Sequence, residues 1–392
     1  MPTTTTTNSA STTAKGQNAT RSAPRTDRLS AAFFGLLRTA LGDTPGELAE
    51  LNTEEWKGLY NLAARQSLLG IVFYALSRAY PDAEKIIPKQ VYLKWYYQAQ
   101  GVQALNRKHY ELSRRLTETF AEKGFRTVIL KGQGNSRLYP DKLIRQTGDV
   151  DIWVEGGREK VLTLLSQMNL LEGAKFLAHD VTLANRMFDA EVEIHFDYMK
   201  DSYNPFANRR LRRVLDRELG NAQAVGEGFN VPPFTFSLLM QLEHIRKHLL
   251  LYGVGFRQVV DYFVLLKSAS GDERAEVAAT LGRTGLGRIA GALMWVLTEC
   301  LGLEPGYCLC APDARRGRLL LKELFGDGNF GKFSERRRGP VFLWWVKNRL
   351  RLVRMLPFDF PEASWYLLRY WCAFAFEMPE RIGAFFRYKR HK

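Results

Sequence analysis

The stretch Thr127 to Val154 constrains this chain more than any other. It reads Thr-Val-Ile-Leu-Lys-Gly, then a Gly/Asn/Ser turn, Leu-Tyr-Pro, Arg145, and finally Gly-Asp-Val-Asp-Ile-Trp-Val. Two apolar runs of strand composition bracket a Lys-Gly turn, and the second run opens on aspartates two residues apart. Side chains alternate along a strand, so Asp149 and Asp151 share one face while Val150 and Ile152 point into the protein. Two carboxylates on one strand face are the beginning of a divalent-cation site.

The neighbouring sequence completes the pattern. Gly124 ends the preceding helix, and Phe125 to Leu130 suits a strand covered on both faces. A helix starting at Gly134-Asn135-Ser136 turns its free N–H groups toward an anion in front of the sheet. Gly156-Gly157 closes the second strand, and Arg158 to Leu170 reads as a helix with apolar positions 161, 164, 165 and 168. A third strand is marked at Ala190 to Asp197, with Val192, Ile194 and Phe196 facing the core and Glu191, Glu193, His195 and Asp197 on the other face.

Phosphoryl and nucleotidyl transfer require divalent ions to neutralise phosphate charge and acidify the attacking hydroxyl. Mg²⁺ prefers a few carboxylates plus substrate oxygens. Asp149, Asp151 and a third-strand acid supply such a set. Glu193 is the choice because it sits mid-strand, where it can also accept the proton of the attacking hydroxyl. Lys131 and Arg145 are candidates for the triphosphate.

Leu130-Lys131-Gly132, Leu138-Tyr139-Pro140, Arg145, Gly148-Asp149-Val150-Asp151 and Val192-Glu193-Ile194-His195 together resemble, in order and spacing, a bacterial family of largely uncharacterised nucleotidyltransferases within the polymerase-beta-like superfamily. The resemblance implies a small mixed sheet flanked by helices, Mg²⁺ or Mn²⁺, and a nucleoside triphosphate. Asp149 and Asp151 fall on the metal-binding aspartates and Glu193 on the third carboxylate. Gly132, Gln133 and Ser136 fall where the triphosphate is held. There the chain departs from the superfamily, which usually has Gly-Ser or Gly-Gly where this sequence has Gly132-Gln133.

The flanks read as helical. From Arg28 to about Glu122, Leu29, Ala32, Phe33, Leu36, Leu37 and Leu41 recur at helical spacing, Thr53 is the expected cap of the next helix, and Pro81 and Pro88 separate elements. His109, alone on a polar helix, is expected at the surface. After Pro232-Pro233, Phe234 to Leu251 carries His244 and His248 one turn apart with Glu243 beside them. Phe256 to Lys267 resumes with Arg257 and Asp261, expected to pair within the helix. This helix pair resembles the family's continuation over the nucleotide cleft, where His248 is a candidate nucleotide contact. Residues 1–27, rich in Thr, Ser, Asn and Ala, are expected to be disordered.

The expected architecture is α+β, with a nucleotidyltransferase core at 123–232 between helical regions at 28–122 and 233–392. Formal charge is +15, and the tail from Arg315 to Lys392 holds 18 Lys/Arg against 7 Asp/Glu. With Trp344, Trp345, Trp365, Tyr366, Tyr370 and Trp371, this tail suits either a helical domain with an aromatic core or a surface for an anionic partner. Lys347, Arg351 and Arg354 fall on one helical face. Cys300, Cys308, Cys310 and Cys372 form no Cys-x-x-Cys pair and are expected as free thiols in a reducing cytoplasm. No apolar run is long enough for a membrane span, and the N-terminus lacks a signal peptide's apolar stretch.

The expected reaction is transfer of a nucleoside monophosphate, AMP in first place, from a triphosphate to an acceptor hydroxyl, whether of a small molecule, a protein or an RNA. The competing readings are a metal-dependent glycosyltransferase using a nucleotide-sugar and a catalytically idle polyanion-binding protein on the same fold.

Overall fold

The computed structural model describes residues 25–46, 50–177, 179–183, 188, 190–199, 204–327 and 341–372. The chain is α+β. Helices α1 (Arg25–Leu41), α2 (Thr53–Arg65), α3 (Leu69–Ala79), α4 (Ala83–Ile86) and α5 (Lys89–Glu122) lead into a sheet. Its strands are β1 (Thr127–Ile129), β2 (Val150–Val154), β3 (Lys175–Phe176), β4 (Asp180–Leu183) and β5 (Val192–His195), in spatial order β1-β2-β5-β4-β3. The short helix α6 (Gln133–Ser136) follows β1, and α7 (Gly157–Gln167) follows β2. Then come α8 (Pro205–Gly220), the two-stranded β6 (Gln223–Ala224) and β7 (Asn230–Val231), and the helices α9 (Phe234–Leu251), α10 (Phe256–Ser268), α11 (Gly271–Thr284), α12 (Gly287–Leu301), α13 (Ala314–Asp327) and α14 (Val341–Met355).

The sheet is mixed. β1 runs antiparallel to β2, β2 runs parallel to β5, and β4 is antiparallel to both β5 and β3. The three strands expected from sequence are present with shorter bounds. β3, β4, α8 and the small hairpin were not foreseen, because the two-residue strands are below the length at which alternation can be read. One sheet face is dry: Val150, Ile152, Val154, Val192 and Ile194 share a core with Leu116 and Phe120 of α5 and Val161 and Leu165 of α7. β1 is covered on both faces, since Val128 and Leu130 join a second core and Ile129 the first.

That second core unites helices from both ends of the sequence. Phe33 and Phe34 of α1 pack edge-on against Phe256 of α10 at ring-centroid distances of 5.7 and 5.4 Å. The fully buried Gln66 ties the two regions together, donating from Nε2 to the Leu324 carbonyl and accepting from the Phe256 amide, both at 2.9 Å. Burying an amide so completely is tolerable because both its ends are hydrogen-bonded. The start of α2 differs from expectation: Asn52 is the cap, its side chain accepting from the Glu55 amide while Glu55 returns a bond to the Asn52 amide, and Thr53 is the first helical residue.

The basic tail is partly turned inward. Arg351 is buried, with its guanidinium on the Leu249 carbonyl and on Glu323, and Arg354 reaches the same Glu323. Two of the three arginines and lysines expected on one basic face thus share one carboxylate of the fold. Residues 328–340 and 373–392, which carry much of the remaining charge, lie outside the described residues, as does most of the tail expected to be disordered at 1–27. Among the described residues, no helix is long and apolar enough to cross a membrane.

Gly70 of α3 holds the chain close to the segment that leads into β2. A Cβ built there would lie 2.2 Å from the Ile144 carbonyl oxygen, a backbone atom that cannot rotate away. Gly70→Ala is therefore expected to destabilise the fold by about 1–3 kcal/mol through overpacking. Urea unfolding should show a lower midpoint with an unchanged slope.

Candidate active site

The polar face of the sheet is built by strand register. Parallel pairing places Asp151 opposite Glu193, and the antiparallel pairing of β4 places Asp180 opposite His195. Asp149 lies one residue before β2 and two before Asp151, so it belongs to the same face. Lys131 leaves the end of β1 and sets its ammonium 3.0 Å from Asp151 Oδ1. His195 Nε2 lies 3.1 Å from the same oxygen and 3.6 Å from Glu193 Oε2. An ionised carboxylate only accepts, so Nε2 carries the imidazole proton.

These contacts sort the acids. Burial disfavours charge on Asp151, yet Lys131 and the His195 hydrogen bond outweigh it and hold the carboxyl well below its usual range. Glu193 moves the other way: burial and the charges of Asp151 and Asp149 push it up to about 7. Burial also acts against the charge of Lys131, but Asp151, Asp149 and Glu193 prevail and keep it firmly cationic. The donor set is thus short of positive charge, and carboxylate repulsion within it is the energy a divalent ion would relieve. Ligand atoms of Asp151, Glu193 and His195 already lie within 4.8 Å of one another. Hard oxygen donors from Asp149, Asp151 and Glu193 fit Mg²⁺ or Mn²⁺.

A cleft of about 230 Å³ opens over this face, lined by Lys131, Gly132, Asp149, Asp151 and Glu193 on one side and by α9 and α10 on the other. Gly132 turns the chain with φ 51° and ψ −110°, a conformation that favours glycine. From the helices come Gln241, His244, His248, Arg257, Gln258 and Asp261. Asn135 Nδ2 donates to Gln241 Oε1 at 2.9 Å, and Gln241 Nε2 donates to the Gln258 carbonyl at 3.2 Å, locking the turn after β1 to both helices. The rings of His244 and His248 are 4.3 Å apart. Burial keeps both neutral, reinforced by Lys131 and, for His244, by His248; His248 is lowered to about 3.

Arg145 lines the same cleft, but its charge is already engaged. Its Nε and Nη2 donate to the two oxygens of Asp261 at 2.7 and 2.8 Å, and the Tyr139 hydroxyl donates to Asp261 Oδ1 at 2.8 Å. Asp261, expected to pair with Arg257 on its own helix, is gripped by an arginine 116 residues away. Arg257 Nη1 donates to the Gln146 carbonyl at 3.1 Å. The wall therefore presents two guanidinium groups to one carboxylate, an arrangement that retains positive charge for an anion.

Gln133, expected to meet the triphosphate through its backbone, and Ser136 both turn their side chains away from the cleft. Gln133 is fully buried and its Nε2 donates to Thr147 Oγ1 at 3.3 Å. The Ser136 hydroxyl donates to the Lys142 carbonyl and accepts from Tyr110 at 3.2 Å. Neither side chain lines the cleft, because the four-residue α6 rotates them toward α5.

His109 was expected at the surface and is instead 1% exposed, with Nδ1 2.9 Å from Thr147 Oγ1. Much of α5 faces solvent, but His109 lies on its buried face with Asn106, against the polar loop before β2. Burial and Arg145 lower its pKa to about 4. The unfolded chain thus binds more protons than the fold between that value and the ordinary 6.5, so stability is full above pH 6.5 and falls as pH drops toward 4. His109→Gln is expected to remove about 2 kcal/mol of the acid-induced loss between about pH 6.5 and pH 5, read from urea midpoints at both values.

What sequence reasoning missed lies mainly on β4 and in α9. His179 and Asp180 stand beside His195, with His179 Nε2 2.8 Å from Asp180 Oδ2. The signal for Gln241 was the one amide of α9, set directly after the apolar Leu238-Leu239-Met240. For Asp180 there was none, since β4 has only four residues. Cys300, Cys308, Cys310 and Cys372 are free thiols.

A mixed sheet with acids on neighbouring parallel strands, a lysine at the end of the adjoining strand and a helical wall across a cleft defines a nucleotidyltransferase. Residues 52–302 match the family described as "Uncharacterised nucleotidyltransferase", and the chain belongs to that family. No curated protein matches the sequence.

Proposed function

We propose that the protein is a Mg²⁺-dependent enzyme that transfers a nucleoside monophosphate, AMP in our reading, from a nucleoside triphosphate to an acceptor hydroxyl. The observation that carries this reading is the pairing of Asp151 with Glu193 across parallel strands, with Asp149 on the same face and Lys131 at 3.0 Å. Asp149, Asp151 and Glu193 would hold the divalent ion, which when bound neutralises phosphate charge and acidifies the attacking hydroxyl. Lys131 shares its charge between Asp151 and a phosphate oxygen, while Arg145 and Arg257 give the opposite wall its anion-attracting field. Gly132 allows the backbone to approach the phosphates, and neutral His248 offers an uncharged hydrogen-bonding edge to the nucleotide. Glu193 accepts the proton of the acceptor hydroxyl. That oxygen attacks the α-phosphorus, the bond from the α-phosphorus to the bridging oxygen breaks, and pyrophosphate leaves with the electron pair. The free thiols suit a cytoplasmic setting.

The test is incubation with Mg²⁺ and each α-labelled triphosphate, with and without cell extract, followed by pyrophosphate release and label transfer. Transfer of label with pyrophosphate is expected, greatest with ATP. Cleavage of a nucleotide-sugar to a nucleoside diphosphate would point to glycosyl transfer, and neither turnover nor triphosphate binding would point to an idle module.

A further inference from the structure

We propose that His179, Asp180 and His195 form a second cation site, of zinc-class transition-metal chemistry, beside the carboxylate site. One ligand atom from each of the three lies within 4.8 Å of the other two. The site is built by register, since Asp180 and His195 are cross-strand partners and His179 immediately precedes β4. It is also enclosed: the side chains of Asp180 and His195 are 2% and 7% exposed, and that of His179 17%.

The hydrogen bonds around the cluster fix which atoms remain as donors to a metal. His179 Nε2 faces Asp180 Oδ2 and His195 Nε2 faces Asp151 Oδ1, both acceptors, so each Nε2 carries the proton. In both rings Nδ1 is then a bare lone pair. His179 Nδ1, His195 Nδ1 and Asp180 Oδ1 are all buried without a hydrogen-bond partner. Leaving buried acceptors unpaired is costly, and ligation of a cation by the cluster relieves that cost.

Two imidazoles and one carboxylate with room for a further ligand are the donor set of zinc and its neighbours, whereas Mg²⁺ prefers oxygen alone. The carboxylate site, with three acids, has the opposite preference. His195 belongs to both. Its Nε2–H positions Asp151, while its Nδ1 is available to the second ion, so occupation of one site stiffens the other. The two sites therefore select different metals from one solution.

Co²⁺ titration of the full chain in excess Mg²⁺ tests this assignment. Excess Mg²⁺ fills the carboxylate site and leaves the imidazoles to cobalt, whose visible bands report nitrogen ligation. One equivalent is expected to bind with such bands and to be displaced by Zn²⁺, and His179→Ala should weaken binding by at least ~100-fold. Absence of the bands in folded wild-type protein, or equal binding by His179→Ala, overturns the proposal. If that variant does not fold, X-ray absorption of the zinc-loaded wild type decides: two imidazole shells support the site, and oxygen-only coordination refutes it. The readout is metal ligation, so loss of nucleotidyl transfer would leave this site standing, and loss of cobalt binding would leave the transfer reading standing.

Discussion

Asp151→Asn is expected to lower nucleotidyl transfer about a thousandfold while leaving the protein folded. Asp151 is the point where three elements converge: Lys131 from the end of β1, His195 from β5 and its own strand. The substitution keeps shape but removes a carboxylate that the surroundings hold firmly ionised. A cation bound against Asp149 and Glu193 alone loses several kcal/mol of stabilisation of the transferring phosphate, and each ~1.4 kcal/mol is tenfold in rate. Glu193→Gln should fall by a similar factor, since in the proposed reaction it removes both a ligand and the proton acceptor. The measurement is single-turnover transfer at saturating triphosphate and Mg²⁺, with circular dichroism to confirm the fold. A loss of less than about tenfold in either variant would show that the transferring phosphate sits elsewhere in the cleft.

The second large effect is on stability. Asp261→Ala leaves Arg145, which is 5% exposed, without its bidentate partner, and Tyr139 without its acceptor. Breaking a buried pair by removing one member typically costs about 3–5 kcal/mol, because the surviving charge is stranded in a poor solvent. Asp261→Ala is expected to lie in that range by urea unfolding. The double variant Arg145→Met/Asp261→Leu should recover much of the loss, since neither charge then remains buried. The same pair of variants separates structure from binding. If Arg145 serves the triphosphate as well as Asp261, the double variant regains stability yet still binds triphosphate weakly. Equal triphosphate affinity in the double variant and the wild type would assign Arg145 to architecture alone.

Local signals reached the chemistry but not all of its partners. The alternation at Asp149 to Val154 and at Val192 to His195 was readable because each strand buries one face and wets the other, and a period of two survives in the sequence whenever that holds. Helical spacing marked α9 and α10 almost to the residue. The polar helix containing His109 misled, because its buried face carries polar residues, Asn106, His109 and Ser113, that meet a polar loop and not an apolar core. The Gly132-Gln133 turn left the side chains of Gln133 and Ser136 unplaced. A side chain's direction in one short turn depends on φ and ψ at the glycine, and the residue types do not encode them.

By itself the sequence determined the α+β class, the two aspartates on one strand face, and Glu193 as a third acid on another. These follow from short-range periodicity, which constrains what a segment buries wherever the segment ends up. Tertiary structure alone decided that Asp151 lies opposite Glu193, that Arg145 grips Asp261, that Gln133 and Ser136 turn away, and that His179 and Asp180 reach His195. Each of these is a pairing between segments distant in the chain. Strand register and helix packing set such pairings, and they depend on the collective burial of the whole core and not on any one stretch of residues.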